Sequence, residues 1–283
     1  MGNNKLQQLL LMVMLLLISV TGIIAFFRMN PRSLNVVLSP TQGLSMRIEG
    51  DGLSSDSKKT TVYVNPRSVI LPTEKDDWLI IQSVKGKDKS GNEALFDFYT
   101  LFGVNDGYVW KYGSWDWVED ISTNQQIRVD RFFSEKFGQQ GIRERISKAL
   151  DVISVGVASC EGSNMQKEED RAFNRAKSIR KFVKSVATTT RGETSLLLLG
   201  QNIDDKCPQK SPDETRDQRS IIIIGVVLKD HAINLQEAVA NAMTNLVSNE
   251  NLKQDLEKYI KNPSRSPLGN LDPKRYSRFD LVN

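Results

Sequence analysis

The most extended apolar run of the chain is LLLMVMLLLISVTGIIAFF, residues 9–27, and it holds no ionisable side chain. At about 1.5 Å per helical residue it nearly spans a hydrocarbon core of about 30 Å, which predicts a transmembrane helix. A cleaved signal peptide would have an apolar region of about 7–15 residues ending in small side chains. This run is longer and closes on Phe26, Phe27 and Arg28, so an uncleaved anchor is expected. Beyond it the pattern becomes short and extended, at 34–38, 60–64, 68–71, 78–84 and 94–101. Turn-forming residues such as Gly50-Asp51-Gly52 and Lys87-Asp88-Lys89-Ser90-Gly91 separate these stretches, which predicts a β-rich region. Trp110, Trp115 and Trp117 follow in YVWKYGSWDWVED. Positions 115 and 117 share one strand face, and the cluster is expected in a core or on a sheet face.

The period changes near residue 125. A short strand at 126–129 precedes Ile142, Ile146, Ala149 and Leu150, which recur at helical spacing. DVISVGVA, residues 151–158, is extended again. Ser163 or Asn164 then caps a helix with Ala172, Ala176, Ile179, Val183 and Val186 on one face. Its other face carries Arg171, Arg175, Lys177, Arg180, Lys181 and Lys184, while Glu168, Glu169 and Asp170 suit the positive end of the helix dipole. SLLLLG from Ser195 and RSIIIIGVVL from Arg219 are apolar enough for strands covered on both faces. Leu235, Val239, Ala242 and Leu246, then Leu252, Leu256 and Ile260, predict one or two more helices before Pro263. The tail, with Pro267 and Pro273, is expected to be extended and solvated. The reading is an α+β chain in four segments: an anchor over 1–30, a β-rich region over 31–124, an α/β domain over 125–230, and a helical extension with its tail over 231–283.

Composition narrows the functional classes. With 39% hydrophobic and 25% charged residues, the chain is neither wholly disordered nor a multi-span membrane protein. A net charge of +4, without a dense basic block interleaved with aromatics, gives no reason to expect nucleic acid as a partner. Lys5 and the amino terminus on one side of the anchor nearly balance Arg28 and Arg32 on the other, so flanking charge leaves orientation open. His231 is the single histidine, which removes a Ser/His/Asp triad or a histidine-rich metal site; no metal is expected. No Walker loop or GxGxxG follows a strand, and no cofactor is expected. Cys160 and Cys207 are the two cysteines: an oxidising compartment would join them, and a reducing one would leave two buried thiols. An anchored hydrolase using Cys160 is the enzymatic alternative, and it requires a base or a cationic helix end to form the thiolate. A non-enzymatic binding or structural role is the expectation.

ISVGVASCEGS, RAFNRAKSIRKFV, SLLLLGQN and DETRDQRSIIIIGV resemble, in that order, segments of the OmpA-like (OmpA/MotB C-terminal) peptidoglycan-binding domain. The resemblance covers roughly 125–228 and implies a βαβαββ sandwich. It also implies a ligand site in which an Asp of the turn and an Arg of the helix grip diaminopimelate. Setting Gly162 on the family's turn glycine and Ala176 on its helix alanine puts Ser159 at the Asp position and Asn174 at the Arg position. Both charges are thus replaced, with Glu161, Arg175 and Arg219 nearby as substitutes. Peptidoglycan binding is therefore expected to be weak or lost. The same fold brings the Cys160 and Cys207 loops to one end of the sheet, where a disulfide is expected.

Together these features imply a single-pass protein of the bacterial inner membrane with its bulk in the periplasm. It would act as a binding or assembly subunit with envelope proteins or a second copy as partner. A MotB-like subunit of an ion-driven motor is the family alternative. Such subunits place a carboxylate in the membrane helix, whereas 9–27 offers only Ser19 and Thr21 as polar side chains, so ion conduction by this chain alone is not expected.

Overall fold

The structure, a computed structural model, describes residues 67–72, 78–102, 107–138, 140–161, 164–186, 192–203, 210–250 and 271–283. It begins with strands β1 (Arg67–Pro72), β2 (Trp78–Lys87) and β3 (Glu93–Phe102), followed by three short strands, β4 (Tyr108–Trp110), β5 (Trp117–Asp120) and β6 (Gln126–Arg128). Helix α1 (Val129–Phe132) runs into a π-helical turn, Phe133–Phe137, and α2 (Gln140–Lys148) follows. Then come β7 (Asp151–Ala158), α3 (Met165–Val186), β8 (Thr194–Gln201), β9 (Ile222–Lys229), α4 (Leu235–Ser248) and β10 (Asp280–Val282).

The fold is mixed α/β. A seven-stranded sheet runs β1-β2-β3-β9-β7-β8-β10, and β4-β5-β6 form a second, smaller sheet. Strands β7 and β8 pair in parallel, joined through α3 as a parallel pair requires, and the other pairings are antiparallel. Successive residues point to opposite faces. Ile153, Val155, Val157, Ile222, Ile224 and Val226 meet Ala238, Val239, Ala242 and Met243 of α4. Val152, Ile221 and Ile223 join the other core, with Phe132, Phe133 and Phe137 at α1 and Ile179 and Val183 of α3. Covered on both faces, β7 and the first five residues of β9 need no polar side, which explains their largely apolar sequence, with Asp151 and Ser154 the polar exceptions.

Each covering helix lies tight on its sheet at a glycine. A Cβ on Gly156 would fall 2.2 Å from the carbonyl oxygen of Ala172 in α3, and one on Gly86 would fall 1.9 Å from that of Ala238 in α4. Asn164 caps α3, its Oδ1 accepting from the main-chain N–H of Lys167 at 3.1 Å, and Asn234 does the same for α4 through Glu237.

Several expectations need correction. The boundaries at 124/125 and 230/231 do not separate domains: β3 pairs with β9 from Ala94↔Lys229 to Thr100↔Ile222, and residues 61–283 form one compact unit. The strand at 126 joins the small sheet instead of opening the large one. The described part of the tail, residues 271–283, is docked on the sheet: Leu271 and Tyr276 are buried and β10 pairs with β8 through Leu281↔Leu197. Of the three tryptophans only Trp110 is core; Trp115 and Trp117 are 41% and 36% exposed, since the chain bends at 115–116 before β5 begins. The membrane segment at 9–27, the strands at 34–38 and 60–64 and the helix at 252–260 lie outside the described residues. Among the described residues no helix is long and apolar enough to cross a membrane.

Candidate functional site

At the carboxyl end of β7 the chain turns through Ser159, Cys160 and Glu161 and enters α3. The turn is held by its main chain. Gln218 accepts from the Cys160 N–H through Oε1 at 3.1 Å, and Gln201, the last residue of β8, donates from Nε2 to the Cys160 carbonyl at 3.0 Å. Both glutamines are buried, as is Ser159. Cys160 is disulfide-bonded, and the chain's other cysteine, Cys207, lies outside the described residues. A bonded sulfur carries no thiolate, so the hydrolase alternative has no nucleophile in this state.

Arg175 projects from α3 beneath this turn and is completely buried. It belongs to the inner face with Ala172, Ala176 and Ile179, not to the basic outer face expected for it. Its Nη1 donates to the Val157 carbonyl at 2.8 Å, Nε to the Ser114 carbonyl at 2.9 Å and Nη2 to the Lys111 carbonyl at 3.3 Å. Its guanidinium lies 5.7 Å from the centre of the Trp110 ring. One side chain therefore ties the end of β7 to the 111–114 turn between β4 and β5. Burial pushes its pKa well below the ordinary arginine value, and the nearby Arg171 and Arg219 cations push the same way, against Glu168 and Glu161. An arginine nevertheless stays charged at neutral pH.

Arg219 is the second buried guanidinium. Its Nη2 donates to the Pro212 carbonyl at 2.7 Å and its Nη1 to the Trp110 carbonyl at 3.2 Å, while its own carbonyl accepts from the Trp110 N–H at 2.8 Å. Burial lowers its pKa, and Glu161 is the strongest opposing influence. Glu161 acts electrostatically on both arginines, yet both its carboxylate oxygens are shielded and without a hydrogen bond among the described residues. Glu168, buried in the first turn of α3, pairs with Arg171. The structure thus brings Ser159, Glu161, Arg175 and Arg219 to one end of the sheet. Asn174 is not among them: one helical position from Arg175, its side chain is turned by about 100° and is half-buried.

This arrangement holds charge without offering it. All three nitrogens of Arg175 are bonded to main-chain carbonyls, which commits three of its five N–H groups to the fold and buries the rest. His231 is exposed and belongs to a turn before α4. Among the described residues no group of three or more His, Cys, Asp or Glu side chains is placed to hold a metal. Gln201 and Gln218, which frame the cluster, were not among the candidate site residues, and Trp110 was expected only as core; a glutamine directly after the apolar SLLLLG run was the available signal for Gln201. Comparison with protein-family models, with characterised proteins and with solved structures gives no match for this chain.

Proposed function

We propose that this protein is a non-enzymatic binding or assembly subunit of the bacterial envelope, anchored in the inner membrane by residues 9–27. Its α/β unit is an OmpA-like scaffold that has lost the diaminopimelate grip: Asn174 stands at the arginine position, and Arg175 beside it has become internal structure. The observation that carries the reading is the commitment of Arg175 to the carbonyls of Val157, Ser114 and Lys111. Ser159 at the family's acidic position supplies no counter-charge for a ligand ammonium. The Cys160 disulfide supports a periplasmic location, because structural disulfides persist in oxidising compartments. Non-reducing peptide mapping of protein taken from the envelope is expected to recover Cys160 joined to Cys207.

The test of the lost grip is titration of the full chain with a sugar-free stem peptide containing diaminopimelate, followed by calorimetry. No saturable binding is expected. Losing two charge-assisted contacts of about 1.5–3 kcal/mol each weakens binding by roughly two to four powers of ten. Saturable micromolar binding, abolished by Arg175→Lys, would show that the grip survives.

A further inference from the structure

A cavity of about 580 Å3 opens along the edge strand β6, bounded by β5 on one side and by α1 and the π-helical turn on the other. Its size is in the range of about 300–1,000 Å3 usual for small-molecule sites. Arg175 and Arg219 do not line it. Its walls carry as many cations, Arg128, Arg131 and Lys136, as carboxylates, Asp120, Asp130 and Glu135. Five of the six are met locally, Asp120 being the exception: Arg131 Nε donates to Glu135 at 2.6 Å, Arg128 lies 3.5 Å from Asp130, and the Lys136 ammonium sits 5.2 Å from the centre of the Tyr108 ring. A charged ligand finds no surplus of either sign here.

What the groove does present is an aromatic plane with polar groups beside it. The Trp117 indole lines it, more than a third exposed, with the Arg128 guanidinium 5.8 Å from its ring centre. Asp120 accepts from the Ser122 hydroxyl and N–H through Oδ1; its Oδ2, and the side-chain amide of Gln125, make no hydrogen bond among the described residues. Gln126 accepts from Lys111 through Oε1 and keeps its amide N–H groups. A neutral molecule with a C–H face and an edge of adjacent hydroxyls matches this set: the face stacks on indole, and the hydroxyls bond the carboxylate and the amides. We propose that the groove binds a neutral oligosaccharide, with one sugar ring on Trp117 and its hydroxyls on Asp120 and Gln125. The inference is independent of the function proposed above, since it shares no side chain with the arginine cluster.

The experiment is titration of the full chain, in a detergent without a sugar headgroup, with an N-acetylglucosamine tetramer and with maltotetraose. Tryptophan fluorescence and saturation-transfer NMR are the readouts. Saturable binding of at least one of the two is expected. Trp117→Ala should weaken it about tenfold or more, the loss of one stacking platform, whereas Trp115→Ala, an exposed tryptophan outside the groove, should leave it unchanged. Should Trp117→Ala not fold, as judged by circular dichroism, Gln125→Ala decides, with a smaller loss expected. Failure of both saccharides to saturate overturns the proposal, and so does an equal loss in Trp115→Ala. Binding of an uncharged extended peptide without either sugar would assign the groove to the open edge of β6 instead. The stem peptide used above carries no sugar, so the two readings fail separately.

Discussion

Arg175 is held by three carbonyls and no directly bonded carboxylate, so its removal leaves buried acceptors unpaired instead of merely deleting an ion pair. Each such acceptor costs about 1–3 kcal/mol. Arg175→Ala is therefore expected to lower stability by about 3–5 kcal/mol in urea unfolding, with Arg175→Lys intermediate, because an ammonium lacks the planar spread that reaches all three carbonyls. Asn174→Ala is expected to stay within about 0.5 kcal/mol of the native chain. Equal midpoints for Arg175→Ala and the native protein would show that the β7 end and the 111–114 turn are held by other contacts. The inward direction of Arg175 was partly legible. It lies three positions after Ala172 and next to Ala176, in the middle of the apolar stripe, but a charged residue is so rarely fully buried that composition argued for the outer face. Its partners were not legible at all, since main-chain carbonyls leave no trace in residue identity.

At the scale of elements, helix-to-sheet distance is set by Gly156 and Gly86. A methyl group on Gly156 meets the main chain of α3, which moves only as a whole helix, so Gly156→Ala is expected to cost about 1–3 kcal/mol or more, read as a shift in urea midpoint. The opposite helix is pinned by carboxylates. Asp88 accepts from the Asn92 amide and from the Asn234 N–H, the N-cap of α4, and Glu237 in its first turn accepts from the Lys89 N–H. The Asn92 side chain, then the Asn234 main chain, holds Asp88 below its usual carboxyl value; the Lys89 N–H does the same for Glu237. A depressed carboxyl contributes stability above its unfolded value, near pH 4, and that contribution disappears as pH falls through the lower folded value. Thermal midpoints are therefore expected to drop below about pH 4, and Asp88→Asn should be less stable at pH 7 with a shallower acid decline. An unchanged acid slope in Asp88→Asn would locate the acid sensitivity elsewhere. Strands β1 to β3, β7, β8 and β9 and helices α3 and α4 were readable because period and length agreed. The tail strand β10 was not, because three residues beside prolines and basic side chains carry no period, and only the edge of β8 gives them a partner.

The whole molecule departs furthest from its sequence, and for one reason. Local patterns mark elements but say nothing of which strands meet, and the change of period near 125 looked like a domain boundary. Instead the sheet closes across it: β9 lies between β3 and β7, so the central strand takes one neighbour from each side of the supposed boundary. Phe96 and Phe98 of β3 share a core with Ile222, Ile224 and Val226, and α4, from beyond residue 230, covers that core. A fragment of residues 125–230 would retain β7, α3, β8 and β9, yet it would bare one face of the sheet and the full β3 edge of β9. An exposed, uniformly apolar strand edge is an aggregation site, and a sheet with one uncovered face buries too little to offset chain entropy. The fragment is therefore expected to be insoluble or to lack a cooperative transition. Residues 61–283 should unfold in one step, with fluorescence and circular dichroism coincident and an m-value fitting the larger buried surface. A soluble 125–230 fragment with dispersed amide resonances and a sharp unfolding transition would show that the α/β portion is an autonomous domain after all, with β3 and α4 added to it as dispensable cover.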